Sequence, residues 1–150
     1  KTMVLDQELV SCIKQLDKKQ HWIIIVEPWC GDAAHILPFL VRLAGENELI
    51  SYDLQLRDSE PYLIESYLTN GGKSIPKLIV RDDKGTDIFT WGPRPKGAQE
   101  LIEKLKANEA DFATMKLELQ NWYNRDKGKE IFQELKEHYN CVVLEKDFQS

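Results

Sequence analysis

The feature that most constrains the fold is the run Trp22-Ile23-Ile24-Ile25-Val26, which leads into Trp29-Cys30-Gly31-Asp32-Ala33. Successive side chains of a β-strand point to opposite faces, so a strand apolar at every position must be covered on both sides. Residues 21–27 are therefore expected to form a central strand of a sheet lying between two layers. Residues 31–44 have the pattern of a helix, with Pro38 inside it as an expected kink and Gly45 as its stop. A strand that turns directly into a helix at Cys30 places a thiol at a helix N-terminus. There the unpaired N–H groups and the positive end of the dipole stabilise a thiolate, the nucleophilic form in disulfide exchange.

The rest of the chain alternates helical and extended patterns. Leu5, Leu9, Cys12, Ile13 and Leu16 mark one face of a helix over 4–20. Residues 49–57 alternate as a strand near a sheet edge, and a helix is expected from Pro61 to Leu68, closed by Asn70-Gly71-Gly72. Lys77 to Arg81 and Asp87 to Trp91 flank the turn Asp82-Asp83-Lys84-Gly85 and predict a β-hairpin. Residues 97–125 have a helical pattern, and a final helix runs from Lys129 to Tyr139. Alternating helix and strand in the first half implies parallel pairing with right-handed crossovers, while the second half ends in an antiparallel pair. The chain is of the α/β class. It shows no internal repeat or linker, so 1–150 is expected to be one domain, with a core over about 20–108 and a helical extension over about 109–150.

Composition excludes several classes. The net charge is −5 over 150 residues, with no basic stripe, so no nucleic-acid partner is expected. No apolar run approaches the ~20 residues of a membrane helix, so no membrane is expected either. The chain starts at Lys1, as expected if a segment ahead of it has been removed. Cysteines at 12, 30 and 141 are too few and scattered for a disulfide scaffold, and their odd number implies a free thiol. A reducing, cytoplasmic setting is the expectation.

Three motifs carry a resemblance. Trp29-Cys30-Gly31, Ile75-Pro76 and Gly92 with Lys96-Gly97 resemble, in order and position, the active-site and loop motifs of the thioredoxin superfamily over about residues 20–108. The longer strings Trp29-Cys30-Gly31-Asp32, Thr69-Asn70-Gly71-Gly72-Lys73-Ser74-Ile75-Pro76 and Trp91-Gly92-Pro93-Arg94-Pro95 are similar to a bacterial thioredoxin-like subfamily. The resemblance implies a mixed sheet of about four strands flanked by helices. It also implies a cis Ile75–Pro76 bond beside Cys30, and a groove in which the backbone before the proline pairs with a peptide. Trp29, Ile75 and Pro76 are thus the candidate substrate-binding residues, with Trp91 and Pro93 as further lining, although Trp91 reads equally well as core. Two departures bear on one chemical step. Ala33 stands where a dithiol oxidoreductase has its resolving cysteine, and Ile24 stands where the family has the buried acid that assists it.

Cys30 is the candidate catalytic residue, the plain alternative being an inert cysteine at a helix start. A neighbouring carboxylate disfavours a thiolate. Asp32 is most simply a first-turn acid capping the helix, and proton transfer to Cys30 is its functional alternative. His35 can reach Asp32 along the helix face, so both are candidate modulators. Cys30, Asp32 and His35 lack the spacings of a zinc site; no metal and no cofactor are expected. His21 and His138 carry no partner signal. Cys12, Met115 and Trp122 are read as packing positions and Cys141 as a residue that could be exposed. Two functions follow. One is a monothiol thiol-disulfide exchange protein with a role in redox homeostasis, acting on protein or peptide disulfides with an external thiol such as glutathione. The other is a redox-inactive module that binds protein or peptide partners.

Overall fold

The structure, a computed structural model, describes residues 4–141. Its elements are α1 (Gln7–Lys14), β1 (Gln20–Val26), α2 (Gly31–Ala44), β2 (Ile50–Leu56), a 3-10 turn (Leu63–Ser66), β3 (Lys77–Arg81), β4 (Asp87–Trp91), α3 (Lys96–Ala107), α4 (Phe112–Asp126) and α5 (Lys129–His138). The sheet order is β2-β1-β3-β4. β1 runs parallel to β2 and antiparallel to β3, and β3 and β4 form the expected antiparallel hairpin. This is the mixed four-stranded sheet flanked by helices that the sequence implies.

The two faces of β1 have different covers. Trp22, Ile24 and Val26 enter the larger core with residues of α1, α2 and α5. Ile23 and Ile25, on the opposite face, form a smaller cluster with Ile64, Ile75 and Ile79, edged by Cys30, Leu63 and Tyr67. The second cover is thin because the helix expected over 61–68 is a single 3-10 turn. Tyr62, at φ 55°, blocks an earlier helical start, and the turn ends after Ser66.

Other boundaries also differ. α1 is limited by Asp6, which accepts from the N–H of Leu9, and at its other end the Nδ2 of Asn47 donates to the carbonyls of Ile13, in its last turn, and Leu16, just beyond it. The helix expected over 97–125 is two helices. Glu109 has φ 56°, and Asp111 starts α4 by accepting from the N–H of Thr114 at 2.7 Å. α4 buries no residue fully, and its Phe112 and Leu117 are exposed. The chain turns from α4 into α5 at Gly128, where φ is +82° and a Cβ would come within 2.9 Å of the Phe39 ring. Only glycine meets both conditions.

α5 is built into the core. Ile131, Phe132 and Leu135 are buried there, and two acids one turn apart serve the start of α3. Pro95, the residue before α3, offers no side-chain cap. Instead Glu134 accepts from the N–H of Lys96 at 2.8 Å and from Trp91 Nε1 at 2.7 Å, and Glu130 accepts from the N–H of Gly97. Carboxylates placed on orphan N–H groups act as a cap supplied from another helix. Trp91 is accordingly core.

The cysteine reading needs correction. Cys12 is core, as expected, but it is bonded to Cys141, with Cα atoms 5.8 Å apart and a sequence separation of 129. Cys141 is buried, contrary to the exposure allowed for it. Among the described residues, no helix is long and apolar enough to cross a membrane.

Candidate functional site

Cys30 is the N-cap of α2 and the free cysteine among the described residues. It sits half-buried at the end of the sheet, against both core clusters. Its Sγ donates to the carbonyl of Ile75 at 3.6 Å, which joins two of the residues singled out in the sequence. The Ile75–Pro76 bond is cis, as are Glu60–Pro61 and Gly92–Pro93. Gly92, at φ +121°, packs so closely on Pro76 that a Cβ there would collide with the Pro76 carbonyl oxygen. The loops before β3 and after β4 thus converge beside the thiol.

Asp32 does not cap α2. Its carboxylate is turned away from the helix and buried, at 7 % exposure. It accepts from Arg94 Nε at 3.1–3.2 Å and from the Tyr123 hydroxyl at 2.5 Å. Arg94 Nη1 also donates to Gln99. The Tyr123 ring stacks on His35, with centroids 4.6 Å apart, so His35 joins the network through the ring. Burial first, and then the Asp32 charge, push the Tyr123 hydroxyl far above its ordinary pKa. Tyr123 therefore stays a donor to Asp32. The network links α2, the loop before α3 and α4.

Trp29 is 64 % exposed, and the Arg57 guanidinium lies 4.7 Å from its ring centroid. Arg57 is held by both oxygens of Asp58 and donates to the Lys73 carbonyl. Glu27, buried at the end of β1, accepts from the N–H of Asp58 at 2.9 Å and fixes the start of the same loop. On the α2 side, Cys30 opens on a hollow of about 290 Å³ walled by Val26, Ala33, Leu37, Leu54 and Leu56. Leu54 and Leu56 belong to β2, an edge strand, and are exposed. Among the described residues no group of three or more His, Cys, Asp or Glu could hold a metal ion.

The thiol at a strand–helix junction, the proline loop beside it and the mixed sheet agree with the sequence comparison, in which the model of the Thioredoxin_9 family, described as thioredoxin, matches residues 1–116. The chain belongs to the thioredoxin family. Solved structures similar to it include a protein of unknown function from Pseudomonas aeruginosa, with 15% identity, a TM-score of 0.56, and coverage of 84% of this chain and 76% of that one. Another is an HIV epitope scaffold, with 13% identity, a TM-score of 0.60, and coverage of 93% and 74%. These likenesses concern the fold. No curated protein matches the sequence.

The structure brings Cys30, Ile75 and Pro76, expected from the sequence, together beside Trp29, and adds Arg57, Arg94, Tyr123 and Glu27, which sequence reading did not single out. Arg94 and Tyr123 lie 62 and 91 residues from Asp32 in sequence. The available signal was Asp32 itself, a buried acid in the first turn of a largely apolar helix.

Proposed function

We propose that this protein is a single-cysteine thiol-disulfide exchange protein in which Cys30 attacks a protein or peptide disulfide. The observation that supports this best is the placement of Cys30: unbonded, half-exposed, at the start of α2, with its Sγ on the Ile75 carbonyl. That bond holds the thiol proton while the site is empty. A peptide backbone docking along the Ile75 loop would take the same carbonyl by strand addition and release the thiol beside the bound chain.

The thiolate then attacks one sulfur of the substrate disulfide. The Cys30–substrate S–S bond forms, the substrate S–S bond breaks, and the departing sulfur takes a proton. Ala33 cannot resolve the mixed disulfide. Neither can Cys12 or Cys141. Their bond lies near Tyr139, whose hydroxyl donates to Gln20 at the start of β1, while Cys30 follows the other end. Seven strand residues separate the two by roughly 20 Å. Resolution therefore falls to an external thiol such as glutathione. With a glutathionylated protein, the first step leaves glutathione on Cys30. A second glutathione takes it off as the disulfide and restores the thiol.

The test is incubation with oxidised glutathione followed by intact mass measurement. One adduct per chain on Cys30, absent in Cys30→Ser, is expected. No adduct at pH 8 overturns the proposal. Ala33→Cys is expected to form a disulfide with Cys30 in oxidant. With only a thioredoxin reductase as electron source, the unsubstituted protein is expected to reduce insulin poorly.

The second reading, a partner-binding module without redox chemistry, is favoured by the exposed Trp29 and by the apolar hollow against Leu54 and Leu56. The same mass experiment separates the two.

A further inference from the structure

The thin cover on the second face of the sheet leaves a polar constellation open at the end of β1 opposite Cys30. His21 pairs across the parallel ladder with Ser51, and Ile23 with Asp53, so His21, Ser51 and Asp53 share one face. His21 lies between the two β2 side chains. Its Nδ1 is 2.6 Å from Ser51 Oγ and its Nε2 is 2.9 Å from Asp53 Oδ2. An ionised carboxylate only accepts, so Nε2 carries the hydrogen. In neutral imidazole Nδ1 is then the acceptor, and Ser51 donates its hydroxyl to it. A serine hydroxyl on one ring nitrogen and a carboxylate on the other is the arrangement that activates a serine nucleophile.

The constellation borders a cavity of about 430 Å³ lined by His21, Ser51, Lys19, Glu48, Asp82 and Asp83. Its carboxylates outnumber its one cation, Lys19, and favour a positively charged guest.

We propose that Ser51, His21 and Asp53 form a second reactive site that hydrolyses small esters carrying a positive charge. Ser51 Oγ bonds to the acyl carbon as its proton passes to His21. The bond to the leaving alcohol or thiol breaks, and that group takes the proton from His21. Water then cleaves the acyl-serine and regenerates the hydroxyl, so ester and water become acid and alcohol. Asp53 is a positioning residue, holding the imidazole with Nδ1 toward Ser51.

The test uses the full chain carrying Cys30→Ala, which removes thiol chemistry. A fluorophosphonate forms a P–O bond to the serine and expels fluoride; its adduct is mapped by peptide mass spectrometry. Turnover is measured with acetylthiocholine and with the neutral p-nitrophenyl acetate. The expected results are an adduct on Ser51 and faster turnover of the cationic substrate. Losses of about 10²-fold or more are expected in Ser51→Ala and His21→Ala, the scale of general-base catalysis. Asp53→Asn is expected to slow labelling and Asp53→Glu to restore part of it, which a purely structural role would not do. Turnover equal to that of the Ser51→Ala chain, or an adduct only at other residues, overturns the proposal. If a variant fails to fold by thermal melt, the adduct map on the Cys30→Ala chain decides alone.

Discussion

At one end of β1 the sulfurs of Cys12 and Cys141 are bonded to each other inside the larger core, between the first helix and the end of the last. At the other end the Cys30 sulfur stands half-exposed on a carbonyl, ringed by an exposed tryptophan, a cation and a buried acid–arginine–tyrosine network. The same atom type is structural where it is enclosed in the larger core and available where strand, helix and two loops converge. What separates the two is the surroundings. Enclosure in apolar side chains makes a cysteine inert, whereas a helix start with partial exposure makes it reactive.

The comparison is broken most severely at the sealed end. Replacing Cys12 and Cys141 together by serine opens a loop of 129 residues. It is expected to cost about 4 kcal/mol in urea unfolding, near the upper part of the range for disulfides. Reactivity of Cys30 toward an alkylating agent should be unchanged. A loss of that reactivity would mean that the two ends are not independent.

Asp32→Ala attacks the open end. It leaves Arg94 and the buried Tyr123 hydroxyl without their acceptor, and a loss of about 2–3 kcal/mol is expected, less than for a fully buried pair because Arg94 is partly exposed. Asp32→Asn should recover part of it. Unchanged stability would mean that the network does not tie α4 to the site.

A smaller effect is expected at the join between α5 and α3. Glu130→Gln with Glu134→Gln keeps the shapes but removes the charge at the helix start, and about 1 kcal/mol should be lost. The loss should shrink in high salt.

The smallest effect concerns Lys77, which follows Pro76 and is buried, with its Nζ on Thr69 Oγ1 at 3.2 Å. Burial holds its pKa below the ordinary 10.5. The unfolded chain therefore binds the proton more tightly, and stability rises with pH as it climbs from the folded-state value toward 10.5. Lys77→Met should be more stable than the unsubstituted protein at pH 7, by about 1 kcal/mol or less. That advantage should diminish toward pH 10.5, as seen in paired urea titrations.

What the sequence disclosed follows the range of the interactions. β1, α2 and the hairpin were legible because periodicity and turn residues act within a few positions. The Trp29-Cys30-Gly31 turn was legible for the same reason. The helix expected over 61–68 failed because Tyr62 takes a left-handed conformation that no local pattern announces. The break near Asp111 was hidden by apolar residues that continue in helical spacing on both sides of it. Long-range partners were out of reach. The Cys12–Cys141 bond, the Arg94 and Tyr123 contacts of Asp32, and the capture of His21 by Ser51 and Asp53 all depend on register and packing. His21 carries no partner signal in sequence because its partners lie on a parallel neighbour one crossover away.

The contrast between the two ends is tested most directly by alkylating the native, unreduced protein with iodoacetamide at pH 8 and mapping the modified residues. The account predicts one modified thiol per chain, at Cys30, with Cys12 and Cys141 reacting only after reduction and unfolding. A Cys30 that stays unmodified until the protein unfolds would contradict it, as would Cys12 or Cys141 reacting in the native, unreduced chain.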